Sequence, residues 1–153
     1  MKKATLVYLL NSQNQLLLCT KKRGFWLGKV NWIWGKVKDS EDVLVAALRE
    51  LEEESMIALS ADDLQEVGLC HFYWPHKPER DVNVYIFVWN YEWEFEETEE
   101  VKPERYDTKH LPYEFMWPND IHFVPRLING EKDFEYEFVL DPDGQIISYQ
   151  KFS

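Results

Sequence analysis

The chain has 153 residues, 45% of them hydrophobic and 16% aromatic, which is enough apolar surface for one core and the size of one domain spanning 1–153. Its 17 Lys and Arg against 28 Asp and Glu give a net charge of -11, the wrong sign for tracking a nucleic-acid backbone, so no polymer partner is expected. No stretch approaches the roughly 20 apolar residues of a membrane span, and two cysteines make no disulfide framework, so a cytoplasmic protein with no membrane partner and two free thiols is expected.

In chain order, alternation of apolar and polar residues predicts strands over Ala4 to Leu10 and Leu16 to Cys19, joined by a turn at 11–15. Lys21 to Lys29 is basic, is punctuated by Gly24 and Gly28, and reads as a loop. Asp39 or Ser40 stands where it can cap a helix predicted over about Glu41 to Ser55, with Glu41 and Asp42 at the positive end of the dipole. Leu44, Leu48 and Leu51 share one face of that helix and form its expected core stripe. Leu64 to Trp74 and Val82 to Trp89, rich in β-branched and aromatic residues, are predicted strands on either side of Pro75 to Pro78. The acidic run Glu92 to Glu100 reads as an exposed strand end or a loop. Pro118 suits a first helical turn, and helical spacing over Asn119 to Ile128 follows until Asn129-Gly130 stops it. A hairpin closes the chain, Phe134 to Leu140 and Ile146 to Phe152, around the turn Asp141 to Gly144. Interspersed strands and helices make this an α/β domain.

Within the first helix, Glu50, Glu53 and Glu54 fall within roughly 100° of one another on a face beside the leucines. Like charges at that spacing cost about 0.2 to 0.5 kcal/mol per pair on an isolated helix. A divalent cation reverses the sign of that cost, and oxygen-only ligands select Mg²⁺ or Mn²⁺ over zinc. Other chemistries fail on spacing. Neither Gly28-Lys29-Val30 nor Gly35-Lys36-Val37 completes a Walker A loop, and no serine sits in a G-x-S-x-G elbow. His71, His76, His110 and His122 make no H-E-x-x-H pattern and are expected to be structural or exposed.

Gly35, Glu41, Arg49, Glu50, Leu51, Glu53, Glu54 and Ile57 stand at the spacing of the Nudix box, G-x5-E-x7-R-E-U-x-E-E-x-G-U with U aliphatic. The chain therefore resembles the Nudix family. Met56 stands where the box has Gly, so a reshaped helix end is expected, with no ligand lost. Outside the box, Lys21 to Phe25, Asn31, Gly35-Lys36-Val37, the stretch around Gly68 and Phe72, Asp81-Val82, Glu100 with Pro103, and above all Met116 to Asp120 resemble the eukaryotic-type MutT homologues, the oxidised purine nucleoside triphosphatases.

That resemblance implies a Nudix fold, a mixed β-sheet sandwiched between α-helices. It implies hydrolysis of a purine nucleoside triphosphate, 8-oxo-dGTP first, to the monophosphate and pyrophosphate. Glu50, Glu53, Glu54 and Glu100 are then expected ligands of Mg²⁺, with Mn²⁺ able to substitute and the carbonyl of Trp34 or Gly35 as a further ligand. Glu53 and Glu100 both stand as candidates for the general base, Arg49 as the partner orienting the carboxylates, and Glu41 as support for the loop. For the base, the resemblance implies stacking on Trp117, edge contacts from Asn31, Asn119 and Asp120, and an aromatic wall of Phe25 and Phe72 with Trp74 as a further candidate. Lys21 and Lys36 are expected near sugar or phosphate.

Three departures from the family pattern bear on the substrate. Asn119 stands where the family has a second Asp and predicts a narrower range of purines, because two adjacent carboxylates can share a proton and an amide cannot. Trp32, Ile33 and Trp34 are bulkier than their counterparts, and Arg80 stands near a position usually apolar, so a smaller or filled pocket is expected. The expected partner is a small nucleotide, and a monomer is expected over a dimer. The rival readings are the same chemistry on a dNTP, a dinucleoside polyphosphate or capped RNA, and a catalytically weak Nudix-fold binding module.

Overall fold

The structure, a computed structural model, describes residues 1–22, 30–31, 33–55, 59–90, 97, 99 and 101–152, with backbone only at Lys21, Val30, Asn31, Ile33, Glu54, Ser55 and Val101. The described residues form nine strands, β1 (Lys2–Leu10), β2 (Gln15–Lys21), β3 (Val30–Asn31), β4 (Ile33–Lys36), β5 (Leu64–Tyr73), β6 (Val82–Asn90), β7 (Val101–Asp107), β8 (Phe134–Leu140) and β9 (Ile146–Lys151). Two α-helices join them, α1 (Val43–Ser55) and α2 (Asp120–Ile128).

The six residues from Ala4 to Leu9 are all buried, as a central strand covered on both faces requires. β6 runs parallel to β1 along one edge, from Lys2 opposite Val82 to Leu10 opposite Asn90. The other edge of β1 is divided: β4 pairs antiparallel with Ala4 to Val7, and β2 with Leu9 and Leu10. That division brings Gly35 and Lys36 beside the start of β1, where α1 follows. β5 pairs with β6, β8 runs parallel to β5, and β9 closes a hairpin on β8.

Strand alternation assigns the two faces to the two helices. Val7 and Leu9, with Leu17, Phe87 and Trp89, pack on Ala47 and Leu51 of α1. Ala4, Leu6 and Tyr8, with Val84, Ile86 and Val88, face Phe123, Val124 and Leu127 of α2. A mixed sheet between helices is the expected fold class. No helix among the described residues is long and apolar enough to cross a membrane.

Several details differ from the sequence reading. The fully buried residues of α1 are Ala46, Ala47 and Leu51, while Leu44 and Leu48 are only partly covered. Alanine lets the helix backbone approach the sheet, so the helix turns its small residues inward and shifts the leucines to the flanks. α1 begins at Val43, and its cap is Asp42, whose Oδ1 accepts from the Leu44 N–H at 2.9 Å and whose carbonyl accepts from the Ala46 N–H at 2.9 Å. Ser40 instead occupies a left-handed turn position at φ 67°. Pro118 lies in a turn ahead of α2, closed by the Asp120 N–H donating to the Trp117 carbonyl at 2.9 Å. The strands β3, β4 and β7 were not expected. β7 even contains Pro103, opposite Cys19, which a strand tolerates when its other edge needs no N–H. Met56 and most of the acidic run Glu92 to Glu100 lie outside the described residues. Cys19 and Cys70 are both free thiols, as expected.

Candidate functional site

The first half of the site is built where β4 leads into α1. Arg49, one helical turn before Glu53, gathers acceptors from three directions. Its Nε and Nη2 donate to the two oxygens of Glu41 at 2.9 and 3.1 Å, its Nη1 to Glu50 at 2.9 Å, and its Nη2 also to the Lys36 carbonyl at 3.1 Å. Nη1 further lies 3.6 Å from Glu53. The Glu41 carboxylate also accepts from the Lys38 N–H at 3.0 Å. The Arg49 hydrogen bonds, with the Lys38 N–H second, hold Glu41 down to about 2. Glu41 in turn pushes the Arg49 guanidinium upward, so the pair is ionised throughout the ordinary pH range.

Gly35 is explained by Glu50. A Cβ at Gly35 would overlap the Glu50 side chain, so only glycine lets that carboxylate lie against the β4 backbone. Glu50 is 18% exposed and Glu53 60% exposed, one carboxylate pinned and one reaching into solvent. Among the described residues no group of three His, Cys, Asp or Glu converges as a metal cage. Glu50 and Glu53 are the described part of the expected ligand set, because the Glu54 side chain and the whole of Glu100 lie outside it. Carboxylate oxygens beside strand carbonyls form a hard donor set and suit Mg²⁺ or Mn²⁺.

The second half is a cavity of 1260 Å³ over the α2-facing side of β1 and β6. Trp34, Phe72, Trp74 and Trp117 contribute aromatic surface to it, and Asn119 and Asp120 contribute polar groups. Lys36 and Glu41, which both accept from Arg49, also line it, so the Arg49 cluster borders the cavity. Phe72 is held by stacking on Phe138, with centroids 5.4 Å apart. The backbone N–H of Trp74 donates to Asp81 at 2.7 Å, and the Arg80 guanidinium lies 3.9 Å over the Trp74 ring. Arg80 therefore caps the aromatic wall as a stacked cation. Gly144, at φ 83° in the turn after β8, lies where an added Cβ would touch both Trp117 and Trp74, at 3.8 and 3.9 Å.

Asp120 is 2% exposed although it borders the cavity. One oxygen accepts from the Trp117 N–H at 3.0 Å, and the other from the Tyr8 hydroxyl at 3.1 Å with the Asn119 amide 3.4 Å away. Tyr8 was not among the sequence candidates. Its signal was present all the same: a phenol in a buried strand usually finds a partner for its hydroxyl.

Asn31 pairs with Cys19 through the β2–β3 ladder, and Lys21 ends β2, but neither side chain is described. Phe25, Trp32 and Glu100 lie outside the described residues. Of the four histidines, His76 and His110 are exposed and His71 and His122 are half-buried. His71 lies 2.6 Å from Asn83 and 2.7 Å from Glu135; burial lowers its pKa, and those hydrogen bonds outweigh it and raise the group overall. His122 packs against Tyr149 at 4.2 Å, and burial lowers its pKa.

Comparison with known proteins gives a consistent result. The family described as the NUDIX domain matches residues 1–140. Over 146 residues the chain is 36% identical to the oxidized purine nucleoside triphosphate hydrolase of Mus musculus, covering 95% of this chain and 90% of that protein. Over 123 residues it is 38% identical to the protein of the same name from Danio rerio, covering 80% and 77%. Its fold is similar to that of a MutT protein from Bacillus halodurans, with a TM-score of 0.82 over 99% of this chain and 98% of the other at 20% identity.

Proposed function

Because the chain belongs to the Nudix family, we propose that it hydrolyses oxidised purine nucleoside triphosphates, 8-oxo-dGTP foremost, to the monophosphate and pyrophosphate. The cofactor is Mg²⁺, with Mn²⁺ able to substitute, and the role is to clear oxidised nucleotides from the pool as a cytoplasmic monomer. The observation that carries this reading is the continuity of one 1260 Å³ cavity from Trp117 and Asp120 to Lys36 and Glu41 beside Arg49. A nucleotide needs an aromatic and polar-edged end for its base and an ion-binding end for its phosphates, set apart along one path.

In this reading the base stacks on Trp117 within the wall of Phe72 and Trp74, and Asn119 and Asp120 meet its polar edge. Lys36 neutralises phosphate charge. Glu50, Glu53, Glu54 and Glu100, with a carbonyl of Trp34 or Gly35, would hold the Mg²⁺. A bound divalent cation neutralises charge on the phosphates and acidifies water. Arg49 holds Glu50 in place before substrate arrives, so little reorganisation remains at the moment of reaction. Water attacks the α- or β-phosphorus, a new P–O bond forms as the bond from that phosphorus to the oxygen bridging the two breaks, the monophosphate and pyrophosphate separate, and the proton of the water passes to Glu53 or Glu100. The exposure of Glu53 leaves one of its oxygens open to solvent water, which supports the first of these.

A second reading, the same chemistry on a dinucleoside polyphosphate or a capped RNA end, draws on the cavity volume, which exceeds the roughly 300 to 1000 Å³ of ordinary ligand sites. One experiment tests both. Release of the nucleoside monophosphate, a product of the triphosphates and of a dinucleoside polyphosphate alike, is measured with Mg²⁺ on 8-oxo-dGTP, 2-hydroxy-dATP, dGTP, dATP and a dinucleoside polyphosphate, all below saturation so that rates report kcat/KM. The expected result is a preference of ~10-fold or more for 8-oxo-dGTP over dGTP. Preference for the dinucleoside favours the second reading, and silence across the panel overturns the first reading and the dinucleoside form of the second.

A further inference from the structure

Among the described residues the buried polar side chains are Thr5, Asn11, Asn119 and Asp120, and the last three are hydrogen bonded. Thr5 is different. It is 0% exposed, and its Oγ1 has no hydrogen-bond partner among the described residues. A hydroxyl taken out of water without a partner loses its hydration and gains nothing to offset it, so such groups are rare in native folds.

Strand register locates that hydroxyl. Thr5 alternates with Val7 along β1 and therefore faces α1. Beside it in the sheet stand Gly35 of β4 and Tyr85 of β6. Gly35 has no side chain, and Glu50 takes the space above it, with a carboxylate oxygen 2.8 Å from where a Gly35 Cβ would stand. Directly opposite residues of an antiparallel pair hold their Cβ atoms roughly 4.5 to 5.5 Å apart on one face. The orphaned hydroxyl and the Glu50 carboxylate are therefore neighbours over one strand pair. Glu50 Oε1 accepts from Arg49 Nη1 at 2.9 Å, and no described residue donates to Oε2. Ala4 and Leu6, on either side of Thr5, line the cavity and Thr5 does not, so Thr5 acts on a ligand only through another residue.

We propose that Thr5 is a positioning residue for Glu50: its hydroxyl, unpartnered in the protein alone, donates to the Glu50 carboxylate once that carboxylate has taken up a divalent cation. The cation rests on the function proposed above; the orphaned hydroxyl does not. Because the hydrogen bond forms in the loaded state only, it favours cation binding and adds nothing to the stability of the protein alone. Arg49 then fixes Glu50 from the loop side and Thr5 from the sheet side, the two outer partners that orient a ligating carboxylate.

The test measures Mn²⁺ binding without nucleotide, by electron paramagnetic resonance, in the unsubstituted protein, Thr5→Val and Thr5→Ser, together with denaturant unfolding of each in the absence of divalent cations. Valine keeps the shape and removes the hydroxyl, whereas serine keeps the hydroxyl. Thr5→Val is expected to bind Mn²⁺ ~10-fold more weakly or worse, the scale of losing the partner of a metal ligand. It is also expected to unfold at the same or a higher denaturant concentration, since no hydrogen bond is lost from the protein alone. Thr5→Ser is expected to bind Mn²⁺ as the unsubstituted protein does. A merely structural Thr5 would move the unfolding midpoint and leave Mn²⁺ affinity equal in all three, which overturns the proposal. Equal weakening in both variants assigns the effect to shape rather than to the hydroxyl and overturns it too. Failure of Thr5→Val to fold does the same, because it shows a hydroxyl already partnered in the protein alone. Equal binding in all three leaves the function reading standing, whereas an unsubstituted protein that takes up no Mn²⁺ overturns the cation of that reading and the proposal with it.

Discussion

The two ends of the cavity are built in opposite ways. At the Arg49 end, charged side chains from one contiguous stretch, Gly35 to Glu53, converge through ion pairs that stay partly open to solvent. At the Asp120 end, a buried carboxylate is held by a residue 112 positions away and by the backbone of its own turn. The first end is open to water, and in the proposed function a cation and phosphates enter it. At the second, burial leaves the Asp120 carboxylate held by donors of the protein itself. Substitutions at the two ends should therefore fail differently, the first in kcat and the second in KM and selectivity.

The largest expected effect is at the open end. Glu53→Gln should lower kcat by ~100-fold or more, with the Tm little changed because the side chain is 60% exposed. A kcat within threefold of the unsubstituted protein would pass the general base to Glu100. Gly35→Ala comes next, since its Cβ must displace Glu50 or shift β4. Overpacking there should cost about 1 to 3 kcal/mol in denaturant unfolding together with a fall in kcat, and an unchanged kcat would detach Glu50 from the chemistry.

At the closed end, Trp117→Ala should raise KM by roughly 10-fold with kcat nearly kept, the scale of one lost stacking contact of about 1 to 3 kcal/mol. An effect on kcat alone would move Trp117 away from the base. A pH titration of stability then separates the ends again. Glu41 is held at about 2 against an ordinary 4.5, so its contribution is complete above about pH 4.5 and is lost as the pH falls through 2. Acid unfolding followed by circular dichroism should lose that slope in Glu41→Gln. The smallest effect is expected for Arg80→Leu, which removes a stacked cation worth about 0.5 to 1 kcal/mol and should change KM less than 10-fold. A larger change would mean that Arg80 touches the ligand directly.

The legibility of the fold follows the same division. The long strands β1, β5, β6, β8 and the helices were readable to within one or two residues at most ends, because each carries its own periodicity and punctuation. β3, β4 and β7 were not, being short or interrupted by Pro103 and defined by their partners rather than by their own pattern. The core face of α1 was misjudged by one position because Ala46 and Ala47 carry little hydrophobic signal, yet only they allow close approach to the sheet.

What the sequence by itself determined is the Arg49 end, because a motif on one loop and one helix translates spacing directly into geometry: Glu41, Arg49 and Glu50 meet within one loop and the first turns of α1. What only the tertiary structure decided is the Asp120 end. The Tyr8 hydroxyl and the Asp120 carboxylate come together through sheet register and helix docking, and no spacing along the chain encodes a contact made across 112 residues.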